Sequence, residues 1–196
     1  MIDRRSVLIA LPVLAAPGLA RAEPDWPARL VTAARSQVGR TVLYDPAYVR
    51  LAYPGGDVPQ DRGVCTDVVI RAYRAAFGLD LQRLVHEDMA RAFAAYPKTW
   101  GLRRPDRNID HRRVPNLETF LTRRGAALPL AAPWRAGDLI TQRLPGNLPH
   151  IVIVTGARSA LGQPLVAHNI GAGTQVEPIP AFARNVGRFR FPPDRA

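Results

Sequence analysis

The chain has 196 residues, 47% of them hydrophobic, and a net charge of +11. That size fits one domain with a real core, and no internal repeat or low-complexity tract argues for a solenoid or a disordered chain. The positive charge is almost all arginine, scattered along the chain with no lysine-rich tail and few interleaved aromatics. This argues against nucleic acid as the partner. The only cysteine is Cys65, so no internal disulfide can form.

Residues 1–22 have the pattern of a targeting signal. Arg4 and Arg5 precede an apolar run from Ser6 to Ala16, and Ala20-Arg21-Ala22 supplies a small-x-small cleavage site, which predicts a mature chain from Glu23. The apolar run is too short to span a bilayer comfortably. Paired arginines ahead of Val7-Leu8 also fit a twin-arginine signal, so either export route is open. The expectation is a periplasmic or secreted bacterial protein, with residues 23–196 as one domain and no transmembrane segment in it. In an oxidising compartment an unpaired thiol calls for a reason, either chemistry or deep burial.

Asp25-Trp26-Pro27 predicts a helix start, with Leu30, Val31, Ala34 and Val38 on its apolar face. A turn-rich, tyrosine-bearing loop follows, with a short strand expected near 49–53. Asp61-Arg62-Gly63-Val64-Cys65-Thr66-Asp67 then leads into apolar residues at helical spacing, up to Gly78. This places Cys65 in the first turn of a helix, where free N–H groups and the helix dipole favour a thiolate, the nucleophilic form. The plainer alternative is a small apolar residue packed under a helix. Another helix is expected over 87–96, with His86 partly exposed at its start. A polar block over 100–113 has no clear period. A short amphipathic helix follows from Pro115 to Arg124. Leu139-Ile140, Ile151–Val154, Leu165–Ile170 and Val186–Phe191 are then expected as strands. Helices followed by strands predict an α+β domain with an antiparallel sheet.

Three strand features complement Cys65: Gly137-Asp138, His150 at the head of the next strand, and His168-Asn169 on the third. An imidazole at a strand head can act as base toward a thiol on a facing helix, with a polar residue of the adjacent strand orienting it. This order resembles the NlpC-type cell-wall peptidases of the papain-like superfamily. In those, the third residue is commonly a histidine, which matches His168, while Asn169 is the papain-like alternative. Four blocks, Gly63–Val69, His86–Met89, Asn108–Arg113 and His168–Gly171, resemble an exported bacterial family catalogued as domain of unknown function, number 1287. The resemblance covers nearly all of the mature chain. It implies a papain-like fold and a Cys-His site but no particular substrate, and the long polar block is a departure from the simplest NlpC-type members.

Together these features give a cysteine amidase or endopeptidase that cuts amide bonds in peptidoglycan stem peptides or related envelope peptides. Cys65 is the nucleophile, His150 the proton shuttle and His168 its orienting partner. Asp67, Asn108, Asp110, His111, Arg112, Arg113 and Asn169 are the candidates for shaping the cleft and holding substrate. No metal is expected, because no short His-x-x-His, Glu-x-x-His or paired-Cys spacing occurs. No cofactor is expected either, and the protein should act as a monomer. Two alternatives share the same residues: a catalytically dead cell-wall binding module, and an acyltransferase or transpeptidase in which an amine replaces water.

Overall fold

The computed structural model describes residues 26–196. The expected targeting signal, the cleavage site and the expected cap Asp25 lie outside the described residues. Helix α1 (Trp26–Arg35) buries Leu30, Val31 and Ala34. Val38, expected on the same face, is 44% exposed because the helix ends before it.

No strand forms near 49–53. Its polar backbone groups are met by side chains instead: Leu51 N–H donates to Asn108, and the Ala52 carbonyl accepts from Gln82. The extended pairing in this region joins β1 (Leu43–Tyr44) and β2 (Arg62–Gly63), which run parallel.

Helix α2 (Cys65–Phe77) follows β2 after one residue, Val64. Val64 has no side-chain acceptor, so the helix start is held from the other side: the Asp67 carboxylate accepts the Val64 N–H at 2.7 Å. Asp67 therefore folds back over Gly63, where a Cβ would lie 2.9 Å from Oδ2. Gly78, at φ 67°, closes the helix in the left-handed conformation that glycine adopts at low cost.

Helix α3 (Leu81–Ala92) begins well before the expected Glu87, because Asp80 caps it by accepting the Gln82 N–H. His86 is therefore inside a helix, not at its start. Helix α4 (Val114–Arg123) carries Pro115 in its first turn and stops ahead of Gly125.

Five strands form one sheet: β3 (Leu139–Leu144), β4 (Leu148–Arg158), β5 (Pro164–Asn169), β6 (Thr174–Pro178) and β7 (Arg184–Phe189). Their order is β6-β5-β4-β3-β7, and every neighbouring pair is antiparallel. Strand β6 was not expected from the sequence, being short, mostly polar and ended by proline. The described residues thus form an α+β domain with four α-helices and an antiparallel sheet.

The sheet has two apolar faces. Leu139, Ile151, Ile153, Ala167 and Phe189 join the larger core with the helices, and α2 packs against β4 and β5. Ile140, Val152, Val154 and Val166 form a smaller cluster on the opposite face, covered in part by Trp134 and Ile179. Full burial of one such side chain stabilises by ~1.5–3 kcal/mol, so register is strongly fixed in this sheet: a one-residue slip would exchange the two faces. Asp138, of the anticipated Gly-Asp pair, is fully buried and accepts from Arg188 and Arg190. Arg188 also donates to the carbonyls of Ala132 and Pro133. Asp138 therefore anchors β3, β7 and the loop before them.

Candidate active site

Cys65 is the first residue of α2 and is only 4% exposed, yet it lines a cleft of about 370 Å³ with Tyr44, Tyr48, Trp100, Arg113 and Pro149. Its polar neighbours are backbone N–H groups, those of Ile151, Thr66 and its own. Ile151 directly follows His150 on β4. The β4–β5 pairing begins further in, at Ile153–Ala167, so the thiol sits where the two strands part.

The sequence expectation of a ready thiolate is reversed in this resting geometry. Burial pushes the Cys65 thiol up to about 12, and the surrounding N–H groups only partly oppose it. Burial, and then the neighbouring His168, push His150 down to about 3. At neutral pH both groups are uncharged. The helix start supplies donors to the site, but loss of water outweighs them.

The two histidines meet on the sheet. His150 Nε2 lies 2.8 Å from His168 Nδ1, and His168 Nε2 lies 2.9 Å from a Glu177 carboxylate oxygen. Alternation along β5 turns Asn169 the other way, where its amide donates to the Gly63 carbonyl at 3.0 Å. Protons can be placed along this row. A carboxylate only accepts, so His168 carries its proton on Nε2 and accepts on Nδ1. His150 must then carry its proton on Nε2, which leaves Nδ1 with a lone pair. The row thus ends in a lone-pair nitrogen that His168 does not occupy. Burial lowers the pKa of His168 too, against the pull of Glu177.

Glu177 was missed by the sequence reading. It stands on β6, diagonal to His168, whose direct partner is Gln175. The signal was the alternation Gln175-Val176-Glu177, legible only once a strand is known to run there. Tyr44 was also missed as a site residue. It lines the same cleft as the thiol, and burial raises its phenol pKa.

The expected substrate residues divide sharply. Arg112 is buried, and its guanidinium binds both Asp67 oxygens and the carbonyls of Ala47 and Asp45. Asp67 is occupied by this pairing and by the Val64 N–H. Asn108 bridges Leu51 N–H and Tyr48. Asp110 is fully buried, with a pKa raised to about 6 by burial, and it accepts the Asp106 N–H. His111 is buried and pushed down to about 3 by loss of water; it does not line the cleft. Asn169 ties β5 to the segment ahead of Cys65. Five of these six hold the cleft's frame together through internal bonds, while His111 is packed in it with its Nδ1 unpartnered. Arg112 and Arg113 both line the cleft, but Arg113 differs in its bonds: it stacks over Trp100 with 4.1 Å to the ring centroid and has only a long 3.9 Å approach to Asp110. Among the described residues, no group of His, Cys, Asp and Glu gathers as metal ligands would.

The site therefore combines a helix-start cysteine, whose thiol meets the Ile151 N–H of β4, with a His-His-Glu row borne by β4, β5 and β6, on an α+β scaffold. Residues 31–191 match the family described as Domain of unknown function (DUF1287), and the chain belongs to that family. It is also 55% identical over 161 residues to a protein of Escherichia coli (strain K12) described as "Uncharacterized protein YijF", covering 81% of this chain and 78% of that protein.

Proposed function

We propose that the protein is a cysteine amidase or endopeptidase of the papain-like, NlpC-type kind, exported through its N-terminal signal and acting on peptidoglycan stem peptides or related envelope peptides. The observation that carries this reading is the row Glu177–His168–His150, which leaves a lone pair on His150 Nδ1, one residue from the Ile151 N–H that meets Cys65. In the proposed reaction, Sγ of Cys65 attacks the amide carbonyl carbon while His150 Nδ1 takes the thiol proton. His150 then gives that proton to the leaving amine as the C–N bond breaks, forming the acyl-enzyme. Water attacks next, losing its proton to His150, which returns it to Sγ as the acid leaves. The imidazolium formed midway is supported through His168 by the Glu177 carboxylate. The Cys65 N–H and the Tyr44 hydroxyl are the donors for the oxyanion.

Arg113, held flat on Trp100, would grip a stem-peptide carboxylate through its fork. The buried thiol is the one observation that favours a binding module instead.

Digestion of purified sacculi separates the readings. Wild type should release soluble fragments, identified by mass spectrometry, and Cys65→Ala should release none. Fragments bearing an added amine would make the protein a transferase. Retention on sacculi without release by wild type would make it a binding module.

A further inference from the structure

A second cavity, of about 800 Å³, opens beside the cysteine cleft. Tyr48 lines both, and Gly101 of this cavity follows Trp100 of the cleft. Its walls carry Arg50, Arg103, Arg104 and Arg107. None of the four makes an ion pair among the described residues, and Arg107 is steadied over the Tyr53 ring at 5.7 Å. The single carboxylate in the wall, Asp106, pairs with none of them and leaves the arginines in excess. It accepts from Tyr48 at 3.0 Å and from the Asn108 N–H at 2.9 Å, and Asn108 donates in turn to Tyr48. These bonds brace the segment that bears the arginines. Like-charged side chains gathered without counter-ions in a braced concavity raise the local affinity for anions.

We propose that this cavity is a binding site for a phosphate-bearing anion. The numbers of donors and acceptors select the ligand class. A carboxylate offers two oxygens and is satisfied by one guanidinium fork, which Arg113 already provides in the cleft. Four open guanidiniums match the several oxygens of a phosphate ester or pyrophosphate, which accept from two or more forks together. The site does not depend on Cys65 chemistry, and its test does not use catalysis.

Titration calorimetry with sodium pyrophosphate on the full chain should show one saturable site. Arg103→Gln/Arg104→Gln should weaken it about tenfold or more, since each lost charge-assisted bond counts separately. Arg35→Gln/Arg184→Gln removes the same charge from exposed positions elsewhere, and should bind as wild type does. Melting temperature controls for folding. A second arm uses phosphatidylglycerol vesicles against phosphatidylcholine vesicles. Co-sedimentation that pyrophosphate competes away makes a lipid headgroup the phosphate source; absence of co-sedimentation, with pyrophosphate still bound, makes it a soluble or glycan-borne phosphate. No saturable pyrophosphate binding, or equal weakening by both double substitutions, overturns the proposal.

Discussion

Two buried polar clusters flank Cys65, and they are built differently. On the loop side, Arg112, Asp67 and the carbonyls of Ala47 and Asp45 form a closed clamp, with donors and acceptors matched internally. On the sheet side, Glu177, His168 and His150 form an open row, anchored at a half-exposed carboxylate and ending in a free nitrogen. A closed cluster fixes positions and has nothing left to offer a ligand. An open one also fixes where protons sit, and passes that order to its free end. Neighbours in sequence can fall on either side of this division, as Arg112 and Arg113 do.

The largest expected effect comes from opening the clamp. Arg112→Ala leaves the buried Asp67 carboxylate at the start of α2 without its guanidinium, with only the Val64 N–H remaining to it, which should cost about 3–5 kcal/mol of stability. Urea unfolding measures it, and a loss near zero would mean that the clamp does not hold the helix start.

Acid should weaken the fold next. His150 and His111 stay neutral to about 3 in the folded protein, against ~6.5 in an unfolded chain. The unfolded state therefore binds more protons below that value, so stability is intact above pH ~6.5 and falls as pH drops towards ~3, by up to ~1.4 kcal/mol per unit for each histidine. Asp110 works the other way. Its folded value of about 6 exceeds the unfolded one, so its stabilising protonation is complete at low pH and is lost as pH rises through 6. It offsets roughly one histidine between those limits. Melting temperatures from pH 7.5 to 4 should fall, and a flat profile would contradict the buried neutral histidines.

Arg113→Ala should lower kcat/KM on a stem peptide by roughly ten- to a hundredfold, yet act little on the carboxamide analogue or on melting temperature. A mutant that melts earlier and treats both substrates alike would join Arg113 to the frame.

The smallest effect should come from the anchor of the row. Glu177→Gln is expected to cost about tenfold in kcat/KM with melting unchanged, because an amide can donate as well as accept and no longer dictates the tautomer. Nitrogen NMR of the two histidines reads this directly: Nε2 protonation on both rings in wild type, and a mixture in the mutant. An unchanged tautomer would show that the sheet alone sets it.

Much of the frame was legible in the sequence because it is local. The Cys65 helix with its Gly78 stop, the Val114–Arg123 helix and four of the five main strands follow from periodicity and punctuation. The 81–92 helix starts six residues ahead of the expected 87, because the cap is Asp80, whose bond to the Gln82 N–H appears only in the fold. His168 facing one way and Asn169 the other follows from the two-residue repeat of a strand. Glu177 was not legible, since its meeting with His168 depends on a cross-strand diagonal in a strand too polar to stand out.

By itself, then, the sequence determined the α+β order of elements and the position of a lone thiol at a helix start. It also set the histidines on successive strands, because helix and strand periods are properties of neighbouring residues. Tertiary structure decided the charge state of that thiol, since burial depends on everything packed around it. It decided which arginine is locked and which is open, through contacts with residues more than forty positions away. It also decided the direction of the proton row, because a carboxylate on one strand fixes a tautomer two strands over.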